Sequence, residues 1–536
     1  MTKRTRYWLA GGLAVLLLAI VAAVISAAIL ARRFEPMLRE EAVRYLSERF
    51  HSDVDLAALH ITPPKMSTLD ILLRRGRGAL VGVEGDGLSL RYRGAHGLPP
   101  LFTIRKVNFT VDLGTIAAKH KTVQAVTIEG MQINIPPKGS LPQGNEPNIP
   151  GTKGSKPMDV RLEDVQIHDA LLVLIPKDAT KKPLEFEIAR VHLKSAGLDS
   201  PMRYDASLTI PKPAGIVRSQ GTFGPWVASE PGDTPLKGDY TFDDADLGVF
   251  HAIAGILASR GTFEGTLGAV RARGVATVPD FRLKSVGTPV PLSTQFDALV
   301  DGTNGNTVLE PVHAKLGGTS FTTEGAVIKR EKDVARTITL KVAMPHGEMR
   351  DLLRLAVKGP PFLDGVIKMD ATIKIPPLTG SVVEKLFLEG DFALRDAKFL
   401  RSTIQSQIDS LSRHGQGKPT NEEIDQVASN LTGSFRLENQ VMNFSRLSFE
   451  VPGAAVALAG NYNLENDTVD FRGTLALNAK LSEMVTGWKR WPLKAVDPFF
   501  SRHGAGTYLH IKVDGGSHQP KFGVDLGLGH GTLGGK

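Results

Sequence analysis

The sequence predicts a mainly β protein with a few short helices, preceded by one N-terminal transmembrane helix. Three observations carry that expectation. Val107, Phe109, Val111 and Leu113 alternate with Asn108, Thr110 and Asp112, the period of a strand with one buried face. A pattern of the form apolar-x-apolar-x-x-apolar-x-apolar recurs at 102–109, 126–133, 160–167 and 276–283, and more loosely at 186–193 and 392–399. It reads as a strand, a kink or bulge that shifts the side-chain phase, and then more strand. Finally, Trp8 to Leu30 carries no formal charge, and as a helix it would be about 35 Å long, enough to cross a hydrocarbon core.

Residues 1–7 form a short N-terminal segment, expected to be cytoplasmic, and 8–30 the anchor. A cleaved signal peptide is the alternative, since Ser26, Ala27 and Ala28 are small, but the apolar run exceeds the usual length of such a peptide. Lys3, Arg4 and Arg6 precede the span and Arg32 and Arg33 follow it, a bias that mildly favours translocation of everything after Leu30. Pro36 to Phe50 has helical spacing with one apolar face, and opens a β region extending over 31–135. Residues 136–157 hold six Pro and four Gly and read as a flexible loop. A central β region follows over 158–400, interrupted by expected helices at Leu247–Ser259 and Glu348–Val357, the latter stopped by Gly359, Pro360 and Pro361. A helical segment is expected over 401–430. Ile404, Ile408 and Leu411 support a helix at Thr403–Arg413, and Thr420 to Glu423 resembles a capping box opening another. A second β region spans 431–526, before a Gly-rich tail at 527–536.

Composition narrows the function more than any motif. The 536 residues are 42% apolar and contain no Cys, which excludes disulfides, thiolate metal sites and thiol catalysis. The net charge of +8 owes five charges to the cations flanking the apolar span, so a nucleic-acid surface is not expected. The fourteen His include no HExxH, and neither G-x-S-x-G nor a P-loop occurs. Gly529, Gly531 and Gly534 fit G-x-G-x-x-G, but no helix can follow them. Asp301 to Asn306 has the side chains of a calcium loop without its spacing, and reads as a hairpin turn. No enzyme, cofactor or metal site is expected.

Several segments together resemble the AsmA-like proteins of diderm bacteria, a branch of the AsmA/TamB superfamily. They are RRFEPMLREEAVRYLSERFHSDVDLAALHI (32–61), GILASRGTFEGTL (255–267), TVPDFRLKSVGTPVPL (277–292), LTGSFRLENQVMNFSRLSFEVPGAAVALAGNYNLENDTVDFRGTLALNAKLSEM (431–484), VDPFF (496–500) and GAGTYLHIKVDGGSHQPKFGVDL (504–526). The chain departs from that pattern at Asn439-Gln440, where an Asn-Gly turn is the expectation, and in its Pro/Gly loop. The resemblance implies a bacterial inner-membrane anchor and a periplasmic, elongated, curved, taco-like β-sheet groove of the bridge-like lipid transfer type. Such a groove holds phospholipid acyl chains, for transport toward the outer membrane and for envelope integrity. A non-transporting scaffold that assists outer-membrane protein assembly is the alternative.

On this view Val107, Phe109 and Val111 line the groove, and Val126, Ile128, Met131 and Ile133 extend it on the next strands, unless they pack beneath a covering helix as ordinary core. The aromatics Trp488, Trp491, Phe499 and Phe500, with Lys489 and Arg490, suit a membrane–water interface. There the C-terminal end would meet the outer membrane or an envelope protein; a loop sealing the end of the sheet is the other reading. The expected partners are phospholipids and the inner membrane, with no nucleic acid.

Overall fold

In the computed structural model, residues between 36 and 525 are described apart from several loops. The longest stretches outside that description are 1–35, 113–120, 136–159, 486–493 and 526–536. The expected anchor at 8–30, the Pro/Gly loop, Trp488, Lys489, Arg490 and Trp491 fall there, and Phe499 and Phe500 also lie outside the described residues. Among the described residues no helix is long and apolar enough to cross a membrane. The chain forms two compact units, one of Met1–Thr241 with Glu264–Leu267, the other of Phe242–Phe263 with Gly268–Lys536.

Eight strands lie wholly in the first unit and form a ladder in chain order. These are β1 (Ser52–Thr62), β2 (Leu80–Tyr92), β3 (Phe102–Asp112), β4 (Lys121–Ile135), β5 (Val160–Leu174), β6 (Leu184–Ala196), β7 (Met202–Pro211) and β8 (Ala214–Phe223). Every neighbouring pair is antiparallel except β4 and β5, which run parallel. A parallel pair needs a connection that returns the length of a strand, which is why a long segment separates Ile135 from Val160. Ahead of β1, Pro36 to Ser47 is helical wherever it is described, and Arg39 donates to the Leu56 carbonyl of β1 at 2.6 Å.

The second unit is also built of strands. β9 (Pro235–Asp246) and β11 (Ile256–Thr266) are divided between the two units, and β10 (Ile253–Ala254) belongs to the second; after them come β12 (Ala269–Leu283), β13 (Val290–Val300), β14 (Thr307–Leu316), β15 (Thr319–Ile328), β16 (Thr337–Glu348), β17 (Leu363–Ile375) and β18 (Phe387–Phe399). The ladder ends with β19 (Ser429–Glu438), β20 (Val441–Val451), β21 (Ala454–Asn463), β22 (Thr468–Leu477), β23 (Thr507–Gly516) and β24 (Gln519–Asp525). From β12 to β24 each strand pairs antiparallel with the next.

Two helices occupy one edge of this unit, and a single turn of helix at Val382–Lys385 lies at the other, between β17 and β18. Helix α1 (Met349–Ala356) joins β16 to β17, and α2 (Ser402–Gly415) joins β18 to β19. Met349, Leu352 and Leu353 lie on one side of α1 and pack with Met344, Leu363, Ile367, Leu394 and Ala397. Ile408 and Leu411 of α2 pack against Val451, Ala454 and Leu477. Buried aspartates fasten this edge. Asp351 of α1 accepts from the Gly318 and Thr319 amides at 2.8 and 3.1 Å and from the Thr319 hydroxyl at 3.0 Å. Asp409 of α2 accepts from the amides of Val427 and Gln426 and from the Gln405 side chain. Asp497 accepts from the Ser482 amide and hydroxyl.

Two expected helices are corrected. Leu247–Ser259 is a single 3-10 turn at Leu247–Val249, followed by the strands β10 and β11. Asp246 accepts from the Gly248 amide to form that turn, and Gly255 sits at φ +136°, outside helical space. Beyond it exposed Ile256 and Ala258 alternate with half-buried Leu257 and Ser259, a strand period hidden in an apolar run. Nor does Thr420 open a helix: Thr420 and Glu423 are in turns, and Gln426 has φ +49°. Asp409 claims the amides of Gln426 and Val427 instead, leading straight into β19. The Asp301–Asn306 segment is the expected hairpin turn. Asn439-Gln440 also makes a two-residue hairpin, with φ values of +50° and +63° taken without glycine.

Candidate functional site

The recurring sequence pattern marks real irregularities. In β6, β12 and β18 the register shifts inside the pattern, between Ile188 and Arg190, Val278 and Phe281, and Leu394 and Ala397. In β4 the pattern contains Gly130 at φ +62°. Gly87 at φ +65° and Asp169 at φ +55° lie on the same cross-strand row of the first unit. A side chain at Gly130 would start 3.0 Å from Arg105 Cβ. At 160–167 the matching kink comes later in β5, at Asp169.

Ion pairs show what the crease does. Lys106 bonds Glu84 at 2.7 Å, while its neighbour Arg105 approaches Glu129 at 3.8 Å. Glu129 is also the cross-strand partner of Lys106, so two consecutive residues turn to one face. The hydrogen bond from Lys106 to Glu84 holds the lysine above its ordinary pKa. Past the crease the phase is therefore inverted, and Leu56 and Ile104, 4% and 7% exposed, join the face opposite the charges.

That face is apolar across the whole first unit. One row runs Ile61, Val83, Phe109, Val126, Val165, Leu193, Tyr204 and Gly221; the next runs Leu59, Gly85, Val107, Ile128, Ile167, Val191, Ala206 and Ser219. Neither holds a charge on any of its eight strands. The row between them, on the opposite face, is polar throughout: His60, Glu84, Asn108, Thr127, Gln166, His192, Asp205 and Gln220. Of the residues expected at the groove, Val107 and Phe109 thus pair with Ile128 and Val126. Met131 and Ile133 pair with Ile104 and Phe102 beyond the crease, and Val111 pairs with Val81 and Val123. All except Val111, whose side chain lies outside the described part, are half-buried. Tyr204, the ionisable group of these rows, bonds Ser219, and burial pushes its phenol up.

The second unit repeats the arrangement at greater length, in positions no short motif signalled. One row passes through twelve strands as Ala272, Ala298, Leu309, Gly325, Leu340, Ile373, Leu388, Leu437, Met442, Tyr462, Val469 and Gly515. At about 4.8 Å per strand this is a strip of about 50 Å. Beside it on the same face lie Val342, Ala371, Gly390, Phe435, Phe444, Gly460, Phe471 and Val513. Phe444 and Phe471, two strands apart, approach to 5.8 Å between ring centres over Gly460, where a Cβ would fall 2.6 Å from Phe471 Cα. The intervening row faces the other way and is polar on every strand, from Glu324 and Lys341 to Asp470 and Asp514.

Helices α1 and α2 cover only the edge of the apolar face nearest Met344 and Leu394. Leu340, Ile373, Leu388 and Met442 stay half-buried. No family model, curated protein or solved structure matches the chain. Among the described residues no group of three or more His, Asp or Glu could hold a metal ion.

Proposed function

We propose that the protein holds phospholipid acyl chains along these apolar faces, and that it does so from an inner-membrane anchor at Trp8–Leu30 with its body in the periplasm. Transport toward the outer membrane and support of envelope integrity follow from that role. The observation that carries the proposal is the uncharged row through twelve strands of the second unit, which α1 and α2 cover at one edge only. An apolar strip about 50 Å long is costly to leave against water, and acyl chains match it in chemistry and shape. The curved, taco-like form of the sheet belongs to this proposal, because curvature lets one face shelter chains while the other stays wet. Val107, Phe109, Val126, Ile128, Met131 and Ile133 extend the lining in the first unit. The aromatic–basic segment around Trp488 and Phe500 is proposed as its contact with a membrane.

Site-specific photo-crosslinking in the full chain, expressed in cells and read by lipid mass spectrometry, tests the proposal. A photoreactive residue at Leu340 or Ile373 should capture phospholipid, and one at Lys341, on the opposite face, should not. Capture at neither apolar position would favour a scaffold filled by its own side chains. Equal capture at Leu340 and Lys341 would refute the assignment of faces.

A further inference from the structure

The polar face of the second unit carries a cavity of about 920 Å³ over β11 to β17. Its lining includes Arg260, Lys315, Lys368 and His313, with Asp370 as its single carboxylate. Among the described residues, the side chains of Arg260, Lys315 and Lys368 take part in no ion pair. Elsewhere on the same face cations meet carboxylates: Arg271 and Arg273 share Asp297, and Arg436 holds Glu389. A neighbouring cavity of about 1170 Å³ has the opposite balance, with Glu324, Asp370, Glu389 and Asp391 against Lys341 and Arg436. The 920 Å³ cavity therefore carries a surplus of cations where its neighbour carries a surplus of carboxylates.

Spacing and chemistry define what would fit. Lys315 lies on β14, between Ser293 and Ser320 of the adjacent strands. Arg260 and Lys368 stand three strands away on either side, about 14 Å each. A single phosphate could not reach all three cations, whereas a chain of phosphates could, and the serine hydroxyls would donate to oxygens between them. Nucleic acid fits less well, because single strands bind by stacking bases on aromatic rings. Phe321 is the only Phe, Tyr or Trp among the described lining residues, and it packs toward the α1 core.

We propose that this cavity binds an extended polyanion carrying phosphates on a backbone without bases. The site lies on the face opposite the proposed lipid surface and does not depend on that proposal. The test uses the full chain in phosphatidylcholine nanodiscs, with inorganic polyphosphate as the probe. Affinity should fall with added salt at a slope of about three in log–log form, one for each cation engaged. Arg260→Gln, Lys315→Gln and Lys368→Gln should each lower that slope by about one, and orthophosphate should bind far more weakly than the polymer. Asp370→Asn, which removes the repelling carboxylate, should tighten polyphosphate several-fold. All four positions are exposed, so the variants should unfold at the wild-type temperature. Unchanged slopes in the three cation variants, or no tightening in Asp370→Asn, would overturn the proposal. Tighter binding of an oligothymidylate than of polyphosphate of equal charge would assign the cavity to nucleic acid and overturn it equally.

Discussion

Replacing Asp351 by Ala removes one carboxylate that fastens α1 to the turn between β14 and β15. The cost can be worked donor by donor. Gly318 is exposed, so its amide can turn to water at little expense. Thr319 is fully buried, and its amide loses its acceptor with no replacement in reach. Its hydroxyl is less affected, since it still accepts from the Glu348 amide at 2.8 Å. The ion pair of Arg354 with Asp351, at 3.9 Å, is long and half exposed on the arginine side, and contributes little. One stranded buried donor and the loss of charge-assisted bonds come to about 2–4 kcal/mol. Because the chain has two units, a single melting temperature would mix their responses. Hydrogen exchange resolves the region: protection of the Thr319 amide and of α1 should fall about 30- to 900-fold, and that of β1–β8 should not change. Unchanged exchange at Thr319 in Asp351→Ala would refute the argument that this carboxylate holds the edge.

Asp409 adds a pH dependence. Burial pushes its carboxyl up, but the Val427 and Gln426 amides and the Gln405 side chain outweigh that and hold it below 3.8. With the folded value below the unfolded one, its stabilisation is complete above about pH 4 and lost as the pH falls through the folded value. Acid should therefore loosen α2, and Asp409→Asn should flatten that acid limb in exchange measurements; an unaltered limb would place the titration elsewhere. Thr323 has a buried hydroxyl with no partner among the described residues. Thr323→Val should stabilise the second unit by about 1 kcal/mol, read from the midpoint of denaturant unfolding, and destabilisation of that size would contradict the orphaned hydroxyl.

Alternation along a strand was readable in the sequence because it is local: Val107 and Phe109, or the bulges at 276–283 and 392–399, need only their neighbours. Pairing was not, because Leu340 reaches Ile373 and Leu437 through partners 33 or more residues away, and no single-strand period reports register. The same distance hid Asp351 and Asp409, whose donors sit 32 and 18 residues off in loops of no special composition. Leu247–Ser259 misled because its exposed strand positions are taken by Ile256 and Ala258, so its apolar content looked helical. At Thr420 the capping-box residues were present, but the amides that a helix would have used were already bonded to Asp409. The aromatic–basic segment at 488–500 remains a reading of the sequence.

Because Gly87, Gly130 and Asp169 fall on one cross-strand row, with Arg105 of β3 between the first two, a strand added to that sheet must keep its register with that row. Duplicating a whole hairpin meets this condition automatically, whereas inserting a residue or two within a strand breaks it. A chain built this way grows by hairpins, each adding about 10 Å of uncharged strip without altering the rows beside it. Loss of a hairpin shortens the strip as cleanly. Over evolutionary time its length is free to change, while its cross-section is inherited almost unchanged.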